Sequence, residues 1–147
     1  MPLQYVGIRV SNLERSLRFY TEVLGLREKI RGDNRSEGRG IWVGLEDPRS
    51  RVDLELNWYP RSSPFATPFR TGDALDHIGF RLGAVSRKKL EAEYRRLLDR
   101  GARPTRIRPA DTDGWMACVR DPDGNWIEIF RTPTSAEKRK ERSSAGP

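Results

Sequence analysis

Alternation of apolar and polar residues marks four strands along the chain, each too short and regular for an amphipathic helix. Val6, Ile8 and Val10 alternate with Tyr5, Gly7 and Arg9, and Val52, Leu54 and Leu56 with Asp53, Glu55 and Asn57. Ile78, Phe80 and Leu82 alternate with His77, Gly79 and Arg81, and Ile127 and Ile129 with Trp126, Glu128 and Phe130. Two stretches change to helical period. In SNLERSLRFYTEVLG the stripe is Leu13, Leu17, Tyr20 and Leu24, with Ser11 as the expected N-cap and Gly25 past the end. In the second helix the stripe is Leu90, Tyr94, Leu97 and Leu98, capped by Ser86 and stopped by Gly101.

These elements repeat. Val6-Gly-Ile-Arg-Val10 returns as Ile78-Gly-Phe-Arg-Leu82, and each copy leads into its helix. Gly40-Ile-Trp-Val and Gly114-Trp-Met-Ala are each followed by Asp-Pro, at Asp47-Pro48 and Asp121-Pro122. VDLELN and NWIEIF then place Glu55 and Glu128 in matching strands. The predicted class is α+β: two tandem βαβββ modules in a cupped mixed sheet with the helices on its outer face. Residues 1–132 form one domain, with module one at 3–58, a Pro- and Ser-rich linker at 59–74, and module two at 75–131. The basic tail, 133–147, has no apolar anchor and is expected to be disordered.

Composition narrows the setting. No run of roughly 18 apolar residues occurs, so no membrane span is expected. The start, MPLQYVGIRV, does not resemble a signal peptide. The single cysteine, Cys118, sits among strand residues and reads as buried, with no disulfide framework. A cytoplasmic protein is the expectation. The net charge of +7 raises nucleic acid as a partner, but +3 of it sits in the tail from Arg131 onward and the remaining +4 is scattered among acids, so a nucleic-acid role is not expected.

Side-chain alternation puts His77, the only histidine, on the non-helical face with Tyr5, Glu55 and Glu128. A neutral imidazole and carboxylate oxygens suit one divalent ion: Zn, Ni, Co, Mn or Fe. Three protein ligands leave positions open for two adjacent oxygens of a substrate, whose enediolate the ion could stabilise while a glutamate moves the proton. Arg9 and Arg81, on the same face, are candidates for a substrate carboxylate or phosphate. Trp42 and Trp115 read as core, although Trp42, Trp58, Trp115 and Trp126 could instead wall a metal-free binding pocket.

The repeat, together with YVGIRVSNLERSLRFYTEVLGL, LELNW, DHIGFRL and DPDGNWIEIF, resembles the vicinal oxygen chelate superfamily, most closely its glyoxalase I branch. The resemblance implies Glu55, His77 and Glu128 as metal ligands, with Glu55 and Glu128 in catalysis and Glu128 as the base. It implies Tyr5, Arg9, Asn57, Arg81 and Trp126 as substrate-binding. The first ligand position, histidine or glutamine in the family, holds Tyr5, and two glutathione-contacting positions hold Tyr59 and Asp73. The implied activity is a metal-dependent lyase or isomerase, not necessarily using glutathione, in a homodimer that shares its site between chains. The alternatives are a metal-free antibiotic- or metabolite-binding protein of the bleomycin-resistance kind and, more remotely, a dioxygenase.

Overall fold

A computed structural model describes residues 4–34, 40–66 and 75–144. The chain divides into two compact units, Met1–Thr71 and Gly72–Pro147. Each carries one four-stranded mixed sheet, as the repeat requires.

In the first unit β1 (Tyr5–Arg9) is followed by α1 (Leu13–Arg18), a π-helical turn (Phe19–Val23), β2 (Arg27–Asn34), β3 (Gly40–Glu46) and β4 (Asp53–Trp58). The strand order is β1-β4-β3-β2. β1 and β4 are parallel, while β3 runs antiparallel to both its neighbours. Parallel pairing needs a crossover connection, and the helix that begins it packs on one face of the sheet. Ile8, Val43, Leu45, Leu54 and Leu56 are buried on that side with Leu13, Tyr20 and Val23. Each such side chain contributes roughly 1.5–3 kcal/mol.

The helix departs from its expected form. Asn12, not Ser11, is the N-cap, its side chain accepting from the Arg15 amide. The π-helical turn widens the register, so Leu13, Ser16, Phe19, Tyr20 and Val23 are buried while Leu17 and Leu24 are only half-buried. Val6 and Val52 were expected to face the helices, yet both are exposed. β1 is the edge strand of its sheet, and burial begins only at Ile8.

The second unit repeats the plan with β5 (His77–Ala84), α2 (Arg87–Asp99), a short β6 (Arg103–Pro104), a 3₁₀ turn (Pro109–Thr112), β7 (Met116–Arg120) and β8 (Trp126–Thr132). Its order, β5-β8-β7-β6, matches the first unit strand for strand. Ser86 caps α2 by accepting from the Lys89 amide, and Gly101 follows the helix at φ 96°. Leu90, Tyr94 and Leu97 are buried in the same core as Ala117, Val119, Ile127 and Ile129.

The repeated Asp-Pro has a physical basis: the aspartate organises the turn before the last strand. Asp121, fully buried, accepts from the amides of Asp123 (2.9 Å) and Asn125 (2.8 Å) and from the Asn125 side chain (2.9 Å). Asp47 does this more weakly, accepting from the Arg49 amide at 2.9 Å in a surface loop.

The tail differs from expectation. Ser135–Ser144 form a helix, α3, and its anchor lies upstream, at Arg131. The Arg131 guanidinium is wholly buried, lies 4.1 Å from the Trp115 ring centroid, and donates to the carbonyls of Gly114 (2.8 Å) and Val85 (3.0 Å). It also meets both carboxylate oxygens of Glu137 at 2.9 Å. Thr134 adds its amide and hydroxyl to the same carboxylate, both at 2.8 Å. Trp115 is consequently half-buried against Arg131 rather than a plain core residue.

Asp121→Ala leaves one buried and one part-buried amide, together with the Asn125 side chain, without their acceptor and should cost about 2–4 kcal/mol, whereas Asp47→Ala should cost under about 1 kcal/mol. Urea unfolding reads both as a lowered midpoint at constant slope; equal losses would refute the assignment. Arg131 and then Thr134 hold the Glu137 carboxyl at about 2, below its ordinary 4.5. The docking of α3 is therefore strongest above pH 4.5 and is lost as the pH falls through about 2. Amide exchange in α3 followed across this range should show it, and Glu137→Gln should remove the dependence.

Candidate functional site

Each module presents a polar row-and-column array on the face opposite its helix. The array is set by strand register, because directly paired residues share a face.

In module two the parallel pair β5–β8 sets His77 beside Trp126, Gly79 beside Glu128 and Arg81 beside Phe130. Across β8–β7 the rows continue to Arg120, Cys118 and Met116. His77 and Glu128 converge, with imidazole Nε2 3.7 Å from the Glu128 carboxylate. The other ring nitrogen, Nδ1, is 2.6 Å from Asp76 Oδ1. That hydrogen bond is the main reason the imidazole pKa rises above its ordinary 6.5; partial burial opposes the rise, and the charges of Glu128 and Asp76 add to it. A carboxylate on Nδ1 also orients the ring and leaves Nε2 as the ligating atom. Asp76 was not among the sequence candidates; its only signal was its place immediately before the histidine. Arg81 lies on this face, one row beyond Gly79, and is exposed. Trp126 is half-buried, with the Arg120 guanidinium 5.6 Å from its ring centroid. Cys118 is buried as expected, and burial first, then the charges of Glu128 and Asp76, push its thiol up to about 11.

In module one the equivalent rows set Tyr5 beside Asp53, Gly7 beside Glu55 and Arg9 beside Asn57. They continue across β3 to Gly44 and Trp42. Here a cleft of about 610 Å³ opens, lined by Tyr5, Ile30, Trp42, Glu55, Asn57 and Tyr59 among others. Glycines make this room. A Cβ on Gly32 would stand 2.5 Å from the Trp42 indole, so only glycine admits that ring. Trp42 is thus a half-buried cleft wall, not the core residue expected. Gly7 leaves space beside Glu55, whose carboxylate accepts from Asn57 Nδ2 at 3.0 Å. Tyr5 is 57% exposed at the mouth, and Lys29 pairs with Asp53 at 2.8 Å.

Arg9 has structural partners. It donates to the Phe65 carbonyl at 2.8 Å, and its guanidinium lies 4.8 Å from the centroid of Tyr59, which in turn packs near Phe65. The start of the linker is therefore fastened to β1. Asp73 lies outside the described residues.

The donor chemistry suits a divalent ion of borderline or hard character: one oriented imidazole and one carboxylate in module two, one carboxylate in module one. Among the described residues, no group of three or more His, Cys, Asp or Glu is placed to hold a metal ion. Each module alone holds only part of the expected set.

Residues 3–129 match the family model described as the Glyoxalase/Bleomycin resistance protein/Dioxygenase superfamily. The chain is 26% identical to a metallothiol transferase, FosB, of Shouchella clausii, covering 99% of this chain and 89% of that protein. It is 29% identical to the lactoylglutathione lyase of Salmonella typhimurium, covering 88% and 92%. Among solved structures, the trypanothione-dependent glyoxalase I of Leishmania major has a TM-score of 0.70 at 24% identity, covering 99% and 94%.

Asp76→Asn weakens the acceptor on Nδ1 and should lower the His77 pKa towards 6.5. As the only histidine, His77 gives a single resolvable ring signal for NMR titration. An unchanged pKa would rule out Asp76 as its controlling partner.

Proposed function

The chain belongs to the Glyoxalase/Bleomycin resistance protein/Dioxygenase superfamily, and from that premise we propose that it is a metal-dependent lyase or isomerase acting on a small, vicinally oxygenated substrate. The observation that carries the proposal is the convergence of His77 and Glu128 while Asp76 occupies the far ring nitrogen. A pure binding protein has no need of an imidazole turned towards a carboxylate in this way. The similarity to a lactoylglutathione lyase and to a metallothiol transferase supports the same reading.

In this reading Glu55, His77 and Glu128 hold one divalent ion: Zn, Ni, Co, Mn or Fe. The ion would supply Lewis-acid charge for two adjacent substrate oxygens. The remaining work falls to the chain. Glu128 is the proton carrier, taking a proton from the substrate carbon next to the oxygenated centre and returning it to the neighbouring carbon. Asp76 keeps His77 in one tautomer and orientation. Asn57 fixes Glu55, the repeat partner of Glu128, by donating to its carboxylate. Trp42 and Tyr59 give the module-one cleft aromatic walls for the substrate. Tyr5, at the family's first ligand position, takes a substrate or solvent hydrogen bond in place of ligation, because a phenol is a weaker ligand for such ions than an imidazole. Arg81 and Trp126 contact substrate, whereas Arg9 acts through the linker it holds. We further propose a homodimer in which Tyr5 and Glu55 of one chain act with His77 and Glu128 of its partner.

Protein purified without chelator should carry about one divalent ion per chain by elemental analysis, and His77→Ala and Glu128→Ala should each reduce that occupancy severely. Tyr5→His should tighten metal binding at least roughly tenfold, about 1.4 kcal/mol, while Tyr5→Phe changes it little. Sedimentation at micromolar concentration should give a dimer. If wild type binds no metal on reconstitution, the metalloenzyme reading fails and small-molecule binding in the aromatic cleft takes its place.

A further inference from the structure

Two arginines stand directly opposite each other on the edge of module two. Arg103 of β6 pairs with Arg120 of β7, and Arg120 pairs in turn with Trp126 of β8, which sits beside His77 of β5. All four belong to one row on one face of the sheet. Like charges directly opposite in an antiparallel pair are destabilising. Among the described residues neither arginine forms an ion pair, and the Asp121 carboxylate accepts from the amides and side chain of its own turn.

Both guanidinium groups are oriented. Arg103 donates through Nη2 to the carbonyls of Asp121 (2.8 Å) and Pro122 (3.2 Å). Carbonyls hold the group in place without neutralising it, and its other donors remain available. Arg120 lies over the Trp126 ring, 5.6 Å from its centroid, which orients the guanidinium. A planar, pre-oriented donor edge is the geometry that recognises a carboxylate or phosphate in bidentate fashion.

We propose that Arg103, Arg120 and Trp126 form an oxyanion subsite for the far end of the substrate. The ligand class is a small organic oxyanion, a carboxylate, phosphate or phosphonate, whose reacting end is at His77 and Glu128. Two strand spacings separate Arg120 from His77, roughly 10 Å between Cα atoms, with Trp126 between them in the row. This assignment of substrate class rests on the reading of His77 and Glu128 as the reacting centre, but the binding it describes does not require the metal.

The test uses the full-length, chelator-treated protein labelled with ¹⁵N, titrated with phenyl phosphate, benzoate and inorganic phosphate while the Trp126 indole N–H is observed. Phenyl phosphate or benzoate should shift that signal saturably and bind more tightly than inorganic phosphate. Arg120→Gln and Arg103→Gln should each weaken binding at least tenfold, Arg120→Lys by less, and Arg95→Gln, on the exposed face of α2 and paired with Glu91, not at all. His77→Ala and Glu128→Ala should still bind the anion. If wild type gives no saturable shift, or Arg95→Gln loses as much as Arg120→Gln, the subsite does not exist. A single-stranded oligonucleotide displacing phenyl phosphate at lower concentration would instead make this edge a polyanion surface and overturn the proposal. Arg120-dependent binding in a wild-type protein that takes up no metal would sink the metalloenzyme reading and leave the subsite standing.

Discussion

Parallel pairing between the first and last strand of each module is the constraint from which the rest follows. A parallel pair cannot close with a tight turn, so the chain leaves the sheet after β1 and after β5, forms a helix, and returns through two further strands. The helix covers one face and drives Ile8, Leu54 and Leu56, or Ile127 and Ile129, against it. The opposite face is then left to whatever alternates with those residues. Register does the remaining work: Gly7 falls beside Glu55 and Gly79 beside Glu128, so each glutamate has a neighbour without a side chain. A functional carboxylate on a strand needs such space if a ligand is to approach it.

Much of this was legible in the sequence because it depends on period. Alternation identified the strand faces, the shift between Val6-Gly-Ile-Arg-Val10 and Ile78-Gly-Phe-Arg-Leu82 identified the modules, and together they singled out Glu55, His77 and Glu128. Features without a period were not legible. Asn12 and Ser11 are both good caps, and only the entry angle of the helix selects between them. The π-helical turn at Phe19–Val23 leaves no signature in polarity. Val6 satisfies the strand pattern yet is exposed, because the pattern does not record which strand lies at an edge. The tail has too little apolar content to fold by itself; α3 depends on Arg131, a charge that reads as surface until its carbonyl partners and Glu137 are placed around it.

The two modules share a fold but have diverged in what the open face carries. Where module one has Gly44, module two has Cys118; Asn57 and Trp42 correspond to Phe130 and Met116. Gly44, which has no side chain, and the polar Asn57 leave a cleft of about 610 Å³ beside Glu55, with Trp42 as one wall. In module two, Cys118 is buried and its thiol, pushed up to about 11, stays protonated and uncharged at neutral pH beside Glu128. On its own open face module one thus carries volume, and module two carries oriented charge.

That division explains why the departure at Tyr5 is tolerable within the fold. Tyr5 and His77 open equivalent strands, but only His77 has an aspartate immediately before it, and only that module pairs its imidazole with a glutamate. Gln4, the residue before Tyr5, provides no acidic partner of that kind. A histidine at position 5 would stand beside Asp53, which is already engaged by Lys29 at 2.8 Å, rather than beside an aromatic ring as His77 stands beside Trp126. Among the described residues, the orienting carboxylate, the neighbouring aromatic and the arginine row occur together only in module two. Among the described residues a fixed imidazole is therefore a feature of module two, while the module-one face, with Trp42 seated over Gly32, carries an aromatic-walled cleft.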